Sequence, residues 1–201
     1  MTAASNRGEP PFPPTVRLVD PSYVDPTVRM FGDIEAGEGT SFWPYAVLRA
    51  EAHGIRIGKY VNIQDHAMIH IGGEKPTIIG DYCSITHRAV VHGAEIGDHC
   101  LIGIGAVLMD GVKVGRNSVV AGGAFLTEGT VIPENSIVMG MPGKVKTTRD
   151  NFRQTHRNAL IYYENALAYA EGRYDIWSDE ANNAKIEAQV AEAIAAREAT
   201  A

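Results

Sequence analysis

The sequence has few cysteines, no excess of positive charge and no long apolar run. Its two cysteines, Cys83 and Cys100, cannot build a disulfide framework, so a reducing compartment is expected. The 18 Lys and Arg residues against 24 Asp and Glu give a net charge of -6 at pH 7, which argues against a nucleic-acid surface. No apolar run approaches the ~20 residues that a membrane span needs. We therefore expect a cytoplasmic protein that binds neither nucleic acid nor membrane.

The first residues also lack the apolar segment of a secretory signal. Their prolines disfavour a helix or an inner strand, so residues 1–14 are predicted to be an extended arm. The 201 residues, 45% hydrophobic and 21% charged, suffice for one domain with a large core and an appendage.

Glycine, in contrast, is abundant, with 21 residues, and many of them follow an aliphatic residue. An apolar residue recurs every six positions from Leu18 to Val138, with slips after Leu48, Ile69 and Val91. This period predicts a triangular parallel β-helix, in which three short strands make one coil of about 18 residues. An antiparallel barrel has a similar alternation, but it gives no reason for a period of six. The apolar positions are Leu18, Val24, Met30, Ala36, Phe42, Leu48, Ile57, Ile63, Ile69, Ile79, Ile85, Val91, Ile96, Ile102, Leu108, Val114, Val120, Leu126, Ile132 and Val138.

A second, compact position follows each apolar position by four residues. Cys83 and Cys100 occupy it in neighbouring coils, where Val61 and Ser118 stand in others. We therefore expect both cysteines to fill the interior rather than to form a disulfide or bind a metal.

The composition changes after the repeat, which places a β-helix domain at residues 15–146 and a C-terminal helical segment at 147–201. The segment is predicted to pack on the β-helix or on a neighbouring subunit. A first helix is expected from about residue 148 to 174, with Gly172 as a stop signal and His156 exposed on its surface. A second is expected to begin at Ser178 as N-cap.

The repeat also places the histidines. His70 follows Ile69 and His92 follows Val91, and both apolar residues hold the third position of successive coils. His70 and His92 are therefore expected to stack on one edge about 4.8 Å apart, close enough for two imidazoles to reach one ion. His87 falls two positions past an apolar position, on another face. It can reach such an ion only from a second copy, and a triangular prism packs naturally into a threefold ring.

The residues around these histidines resemble the γ-class carbonic anhydrase family, a group of hexapeptide-repeat proteins with a left-handed parallel β-helix. The resemblance covers roughly residues 15–175. Three histidines in these contexts are a specific signal, whereas the repeat alone is not. The motifs are SFWPYAVLRAE (41–51), IRIGKYVNIQDHAMIH (55–70), THRAVVHGAEIG (86–97) and the exit from the repeat, GMPGK (140–144).

The resemblance implies a homotrimer that hydrates CO2 reversibly to bicarbonate, with a metal hydroxide as the nucleophile. Each interfacial site would take His70 and His92 from one subunit and His87 from its neighbour. Three neutral imidazoles leave a coordination position open for water. Zn2+ is the expected ion, and Fe2+ or Co2+ would suit the same ligands.

The resemblance also suggests residues around the metal. Gln64 would hydrogen-bond the metal-bound hydroxide, and Asp65 would orient neighbouring groups. Arg49 would pair with Asp65 or Glu51 across the interface and bind bicarbonate. The alternative is a set of salt bridges among Arg49, Glu51 and Asp65 that only holds the trimer together.

One departure from the family concerns proton transfer. The segment after His70 is only IGGEKPT (71–77), so the acidic loop that carries proton-shuttling glutamates in the best-studied members is missing. Glu74 is the only carboxylate in that segment. We therefore expect weak activity, with metal binding unaffected.

Three other functions stay open. The first is an enzyme with the same metal-site architecture that acts on another substrate, such as a CoA thioester. The second is a hexapeptide acyltransferase, in which one histidine is the general base and no metal is needed. The third is a metal-binding trimeric scaffold without catalytic activity.

Overall fold

The structure is a computed structural model that describes residues 12–199, so most of the predicted N-terminal arm, residues 1–11, lies outside the described residues. The described chain forms nineteen strands and then two helices. The strands β1 to β19 are, in chain order, Val16–Leu18, Tyr23–Val24, Arg29–Ala36, Ser41–Phe42, Val47–Ile57, Asn62–Ile63, Met68–His70, Thr77–Ile79, Ser84–Ile85, Val90–His92, Glu95–Ile96, Leu101–Ile102, Val107–Leu108, Lys113–Val114, Val119–Val120, Phe125–Leu126, Val131–Ile132, Ser136–Met139 and Lys144–Thr148. The helices are α1, Phe152–Ala170, and α2, Glu180–Glu198, with a 3-10 turn at Ile176–Ser178 between them.

The strands build a parallel β-helix with three faces. The helix-covered face contains β2, β4, β6, β9, β12, β15 and β18 in parallel register, and β19 closes it as an antiparallel strand. The histidine face contains the first halves of β3 and β5, then β7, β10, β13 and β16. The third face contains β1, the second halves of β3 and β5, and then β8, β11, β14 and β17. Because β3 and β5 run around a corner, the last two faces join into one sheet of 11 strands.

The interior of the β-helix is made of the residues that the six-residue period marks. All twenty apolar positions except Leu18 are buried, and Leu18 packs partly buried against the same core. They stack in register from coil to coil, as Ile63 pairs with Ile85 and Ile85 with Ile102. The predicted fold class, a mainly β parallel β-helix of hexapeptide repeats with C-terminal helices, is therefore confirmed.

Both cysteines are free and fully buried, one coil apart. The thiol of Cys83 donates to the backbone oxygen of Gly97 (3.1 Å), and the thiol of Cys100 donates to that of Gly115 (3.3 Å). Burial raises the pKa of the Cys83 thiol, which keeps it protonated. The two side chains therefore fill space inside the β-helix, as the compact position predicts.

The helices lie on one side of the β-helix. Helix α1 packs along the helix-covered face against β2, β4, β6 and β9, and α2 packs on α1. The side chains of Ile186 and Val190 in α2 are fully buried against Leu160 and Ile161 of α1. No helix within residues 12–199 is long and apolar enough to cross a membrane.

Two expectations about the helix ends have different outcomes. Gly172, with φ of +76°, follows the end of α1 as predicted, because glycine adopts this left-handed conformation without strain. The predicted N-cap of α2 is wrong by one residue. Asp179 is the N-cap, and its carboxylate accepts a hydrogen bond from the Asn182 N–H, while Ser178 ends the preceding 3-10 turn.

The prediction that His156 is exposed is also wrong. Its ring is buried between Tyr82, His99 and Phe152, and it stacks on Phe152 with ring centroids 5.1 Å apart. His156 lies one turn after Phe152 and one turn before Leu160, so it shares the apolar stripe of α1. Helix packing therefore turns the histidine toward the β-helix.

Candidate metal centre

The histidine face brings His70 and His92 together. Strands β7 and β10 pair in parallel, with His92 directly opposite His70. The centroids of the two rings are 4.8 Å apart, in agreement with the spacing that the register predicts. In the preceding coil, Arg49 of β5 stands opposite His70.

The ring nitrogens of this pair are arranged around a shared point. Nδ1 of His70 lies 2.9 Å from Nε2 of His92. The other nitrogen of each ring faces a carboxylate: His70 Nε2 lies 3.0 Å from Glu51 Oε2, and His92 Nδ1 contacts Asp110 Oδ1. When neutral rings donate these outer N–H groups to the carboxylates, both inner nitrogens present lone pairs to one another. Two facing lone pairs repel unless a cation lies between them.

A metal ion suits this place better than a proton. Burial lowers the pKa of His70, and the charge of Arg49 and the neighbouring His92 lower it further. Two bonds of ~2.05 Å at the tetrahedral angle separate ligand nitrogens by about 3.3 Å, so a small outward rotation of the rings makes room for the ion. Imidazole nitrogens with carboxylates behind them are also the usual surroundings of zinc. The residues present therefore fit the metal that the resemblance implies.

His87 lies at the corner between β9 and β10, apart from this pair. Its Nδ1 donates to Asp65 Oδ2 (2.9 Å), and the side chains are 42% and 37% exposed. The corner is held by backbone hydrogen bonds, since Arg88 N–H donates to Asp65 O and Gly105 N–H to His87 O. Within residues 12–199, no three His, Cys, Asp or Glu side chains gather closely enough to hold one ion. One chain thus supplies two converging histidines and presents the third toward solvent.

The charged residues around the pair form local contacts. Arg49 makes an ion pair with Glu51 of the same chain, and Glu51 also contacts His70. Asp65 lies instead against His87. Glu74 is exposed in the short segment after β7.

Gln64 belongs to a buried chain of polar groups under α1. Its Nε2 donates to Asn62 Oδ1 (2.8 Å), and Asn62 Nδ2 donates to Ser84 Oγ (2.9 Å). Asn158 of α1 donates to the same Ser84 oxygen (2.7 Å). The other end of Gln64, Oε1, is buried and has no hydrogen-bond partner among the described residues. A buried acceptor without a partner is costly in protein interiors, so it is available for a bound group.

Asp110 is the site residue that the sequence interpretation missed. Partial burial raises its pKa, but hydrogen bonds from His92 and from the Gly73 N–H outweigh this effect, and the pKa lies below its usual value. Asp110 stands 18 residues after His92, whereas the strand register steps by 17 residues here, because Val91 pairs with Leu108. Stepping by one coil from His92 therefore reaches Met109, and the repeat alone does not identify Asp110.

The comparisons with known proteins agree with this fold. Residues 93–128 match the family described as bacterial transferase hexapeptide (six repeats). The "Probable carbonic anhydrase" of Methanocaldococcus jannaschii is 49% identical over 133 residues, 65% of this chain and 84% of the relative. The "Carbonic anhydrase" of Geobacillus kaustophilus is 37% identical over 157 residues, 77% of this chain and 86% of the relative. A crystal structure of a Bacillus cereus protein named as a "putative acetyltransferase" superposes with a TM-score of 0.75 at 26% identity, covering 79% of this chain and 93% of that one.

Fold and site together define a hexapeptide-repeat protein whose β-helix carries a histidine pair backed by carboxylates. Within that class, the two relatives described above are both named as carbonic anhydrases. The chain belongs to the γ-carbonic anhydrase-like family, and the prediction of a carbonic anhydrase-like lyase is confirmed at the level of the family.

Proposed function

We propose that this protein is a metal-dependent enzyme that catalyses the reversible reaction of CO2 with water to give bicarbonate and a proton. It would act as a homotrimer with its sites between subunits. One observation carries the proposal: the facing nitrogens of His70 and His92, 2.9 Å apart, each with a carboxylate behind its ring. Membership of the family supports this choice of reaction.

The metal would be held by His70 and His92 of one subunit and by His87 of the next. The exposed corner position of His87 supports this division, because its ring is accessible to a neighbouring copy. Zn2+ is the expected ion, and Fe2+ or Co2+ would suit the same three nitrogens. When bound, the ion supplies Lewis acidity, which makes water a nucleophile near neutral pH.

The chain's own residues then have separate tasks. The unpartnered Oε1 of Gln64 would accept a hydrogen bond from the attacking water and orient it. Arg49 would bind the bicarbonate anion with its guanidinium group. Glu51 would hold the His70 ring, and Asp65 would hold the His87 ring, through the contacts described above.

We place this activity in the cytoplasm. Cys83 and Cys100 are both free, and a chain without a disulfide framework suits a reducing compartment.

Metal analysis and stopped-flow CO2 hydration on the purified protein test the proposal. We expect about one ion per chain and hydration that His92→Ala abolishes together with the ion. His156→Phe is the matched control, since it changes a buried histidine that stacks on Phe152 and should leave both readings unchanged.

The rival functions give different outcomes in the same experiment. Absence of metal together with acyl transfer from a CoA thioester would identify an acyltransferase. The Bacillus cereus protein of similar structure is named as a putative acetyltransferase. A metal-loaded trimer without hydration would point to a scaffold or to the CoA thioester reaction.

A further inference from the structure

We propose that Asp110 is a positioning residue that joins the metal ligand His92 to the glycine-rich segment 72–75, so that the ion and this segment stabilise each other. The proposal rests on the proposed function for the identity of the ion. Its structural half, the contact between Asp110 and the segment, does not depend on the ion.

The two carboxylate oxygens of Asp110 have different partners. Oδ1 accepts a hydrogen bond from His92 Nδ1, and Oδ2 accepts one from the backbone N–H of Gly73 (3.2 Å). The first bond fixes the His92 tautomer in which Nδ1 carries the proton and Nε2 is free as a ligand. The second bond crosses 37 residues of sequence and ties the segment to the same side chain.

The glycines of the segment make this close approach possible. A Cβ atom on Gly72 would lie 2.8 Å from Asp110 Oδ2, closer than such atoms approach. Gly93, which follows His92, has φ of +57°, and a Cβ atom there would lie 2.7 Å from the Cα of Gly72. Only residues without side chains let the two backbones and the carboxylate pack together here.

The segment is otherwise held at its ends. Gly72 N–H donates to Lys75 O (2.8 Å), and the Thr77 hydroxyl donates to the backbone oxygen of His70. Between these points, residues 73–76 are exposed. The hydrogen bond from Gly73 to Asp110 therefore restrains this exposed part of the segment. Because the Asp110 carboxylate binds both the metal ligand His92 and Gly73 of the segment, it couples metal binding to the order of the segment. Such coupling acts in both directions.

Substituting Asp110 separates the two contacts. Asp110→Ala removes both, and we expect a 10–100-fold higher Kd for Co2+ together with faster hydrogen exchange at Gly73. Asp110→Asn keeps the shape but has only one acceptor oxygen. Its amide either loses the Gly73 bond or forces His92 into the other tautomer, so at least one of the two readings must change.

Asp98→Ala is the matched control for Asp110→Ala. Asp98 also accepts a backbone N–H from the preceding coil, that of Asp81 (2.9 Å), but at a different corner. It should change exchange at Asp81 and leave the Kd for Co2+ unaltered.

The measurements are a chelator competition with Co2+ and amide hydrogen exchange, both on the full chain in its native oligomer. Removal of the metal from the wild type should quicken exchange at Gly73 and not at Asp81. The proposal is overturned if Asp110→Ala and Asp110→Asn both bind Co2+ within twofold of the wild type or both leave exchange at Gly73 unchanged. If the wild type takes up no Co2+, the proposed function is what fails, and exchange at Gly73 in the variants still decides whether Asp110 holds the segment.

Discussion

The molecule contains two pairs of neighbouring histidines, and they differ in nearly every property except the distance between the rings. His70 and His92 have ring centroids 4.8 Å apart, and His99 and His156 have centroids 5.2 Å apart. The first pair sits on the open histidine face with a carboxylate behind each ring. The second lies where α1 meets the β-helix, beside Tyr82 and Phe152.

The contrast shows that the partners of a ring decide its role. Carboxylates orient the first pair so that one nitrogen of each ring points to a common place. The Nδ1 atoms of His99 and His156 are buried without hydrogen-bond partners among the described residues. Burial lowers the pKa of both rings, that of His99 to about 4, so they stay neutral and act as aromatic packing residues.

The largest expected difference between the pairs is in metal binding. His70→Ala removes one of three ligands and should reduce the metal content from about one ion per chain to a trace, with CO2 hydration falling roughly 100-fold or more. His99→Phe should leave metal content and hydration within twofold of the wild type. Elemental analysis and stopped-flow assays measure both. Equal metal loss in the two variants would contradict the distinction.

The next difference is in stability at acid pH. Unfolded histidine has a pKa near 6.5, whereas His99 in the fold has a pKa of about 4. The unfolded chain therefore binds more protons below pH 6.5, and the free energy of unfolding should fall as the pH drops, by roughly 2 kcal/mol between pH 7 and pH 5 for His99. Protonation of His156, whose pKa is also lowered, adds to the loss.

Urea titrations at fixed protein concentration measure this dependence. They are best made in a His92→Ala background, so that release of metal does not contribute. The double variant His99→Phe with His156→Phe should lose less stability on going from pH 7 to pH 5. Parallel pH profiles for the two proteins would show that the buried pair is not the cause.

The smallest expected effect concerns the polar contact that joins α1 to the β-helix. Asn158→Ala removes the hydrogen bond to Ser84 Oγ (2.7 Å), and the free energy of unfolding should fall by about 1 kcal/mol. Metal content should not change, because this contact lies on the helix-covered face. A loss of metal in Asn158→Ala would mean that α1 supports the histidine face more directly than these contacts suggest.

Much of the fold is predictable from the sequence because the six-residue period acts on every coil. Each apolar residue must pack against the apolar residues of the coils before and after it, which fixes the register of the coils. The register of His70 with His92 therefore follows from that of Ile69 with Val91. Asp110 does not follow from this register, because Val91 pairs with Leu108 and Met109 therefore stands one coil after His92. The contact of Asp110 with His92 depends on the backbone that follows β13, which the period does not describe.

The surroundings of His156 and the cap of α2 depend on other information. Which side of α1 faces the β-helix is decided by the packing of Phe152, Leu160 and Ile161 against tyrosines and α2, and a single histidine on the stripe does not reveal it. The choice of Asp179 over Ser178 as N-cap depends on a 3-10 turn that a helical pattern does not mark. The metal-site roles of all the predicted residues stay predictions, since they require the neighbouring subunit or the ion. These residues are His70, His87, His92, Gln64, Asp65, Arg49 and Glu51.

Subunit mixing tests most directly whether the site is shared between chains. His87→Ala and His92→Ala proteins are each expected to be inactive. After denaturation and joint refolding in equal amounts, a site is complete when the chain with intact His70 and His92 meets a neighbour with intact His87. Random assembly into trimers gives about one quarter of the wild-type sites. Hydration and metal content at about one quarter of the wild-type values would support a site built by two chains, whereas a mixture as inactive as its two components would contradict it.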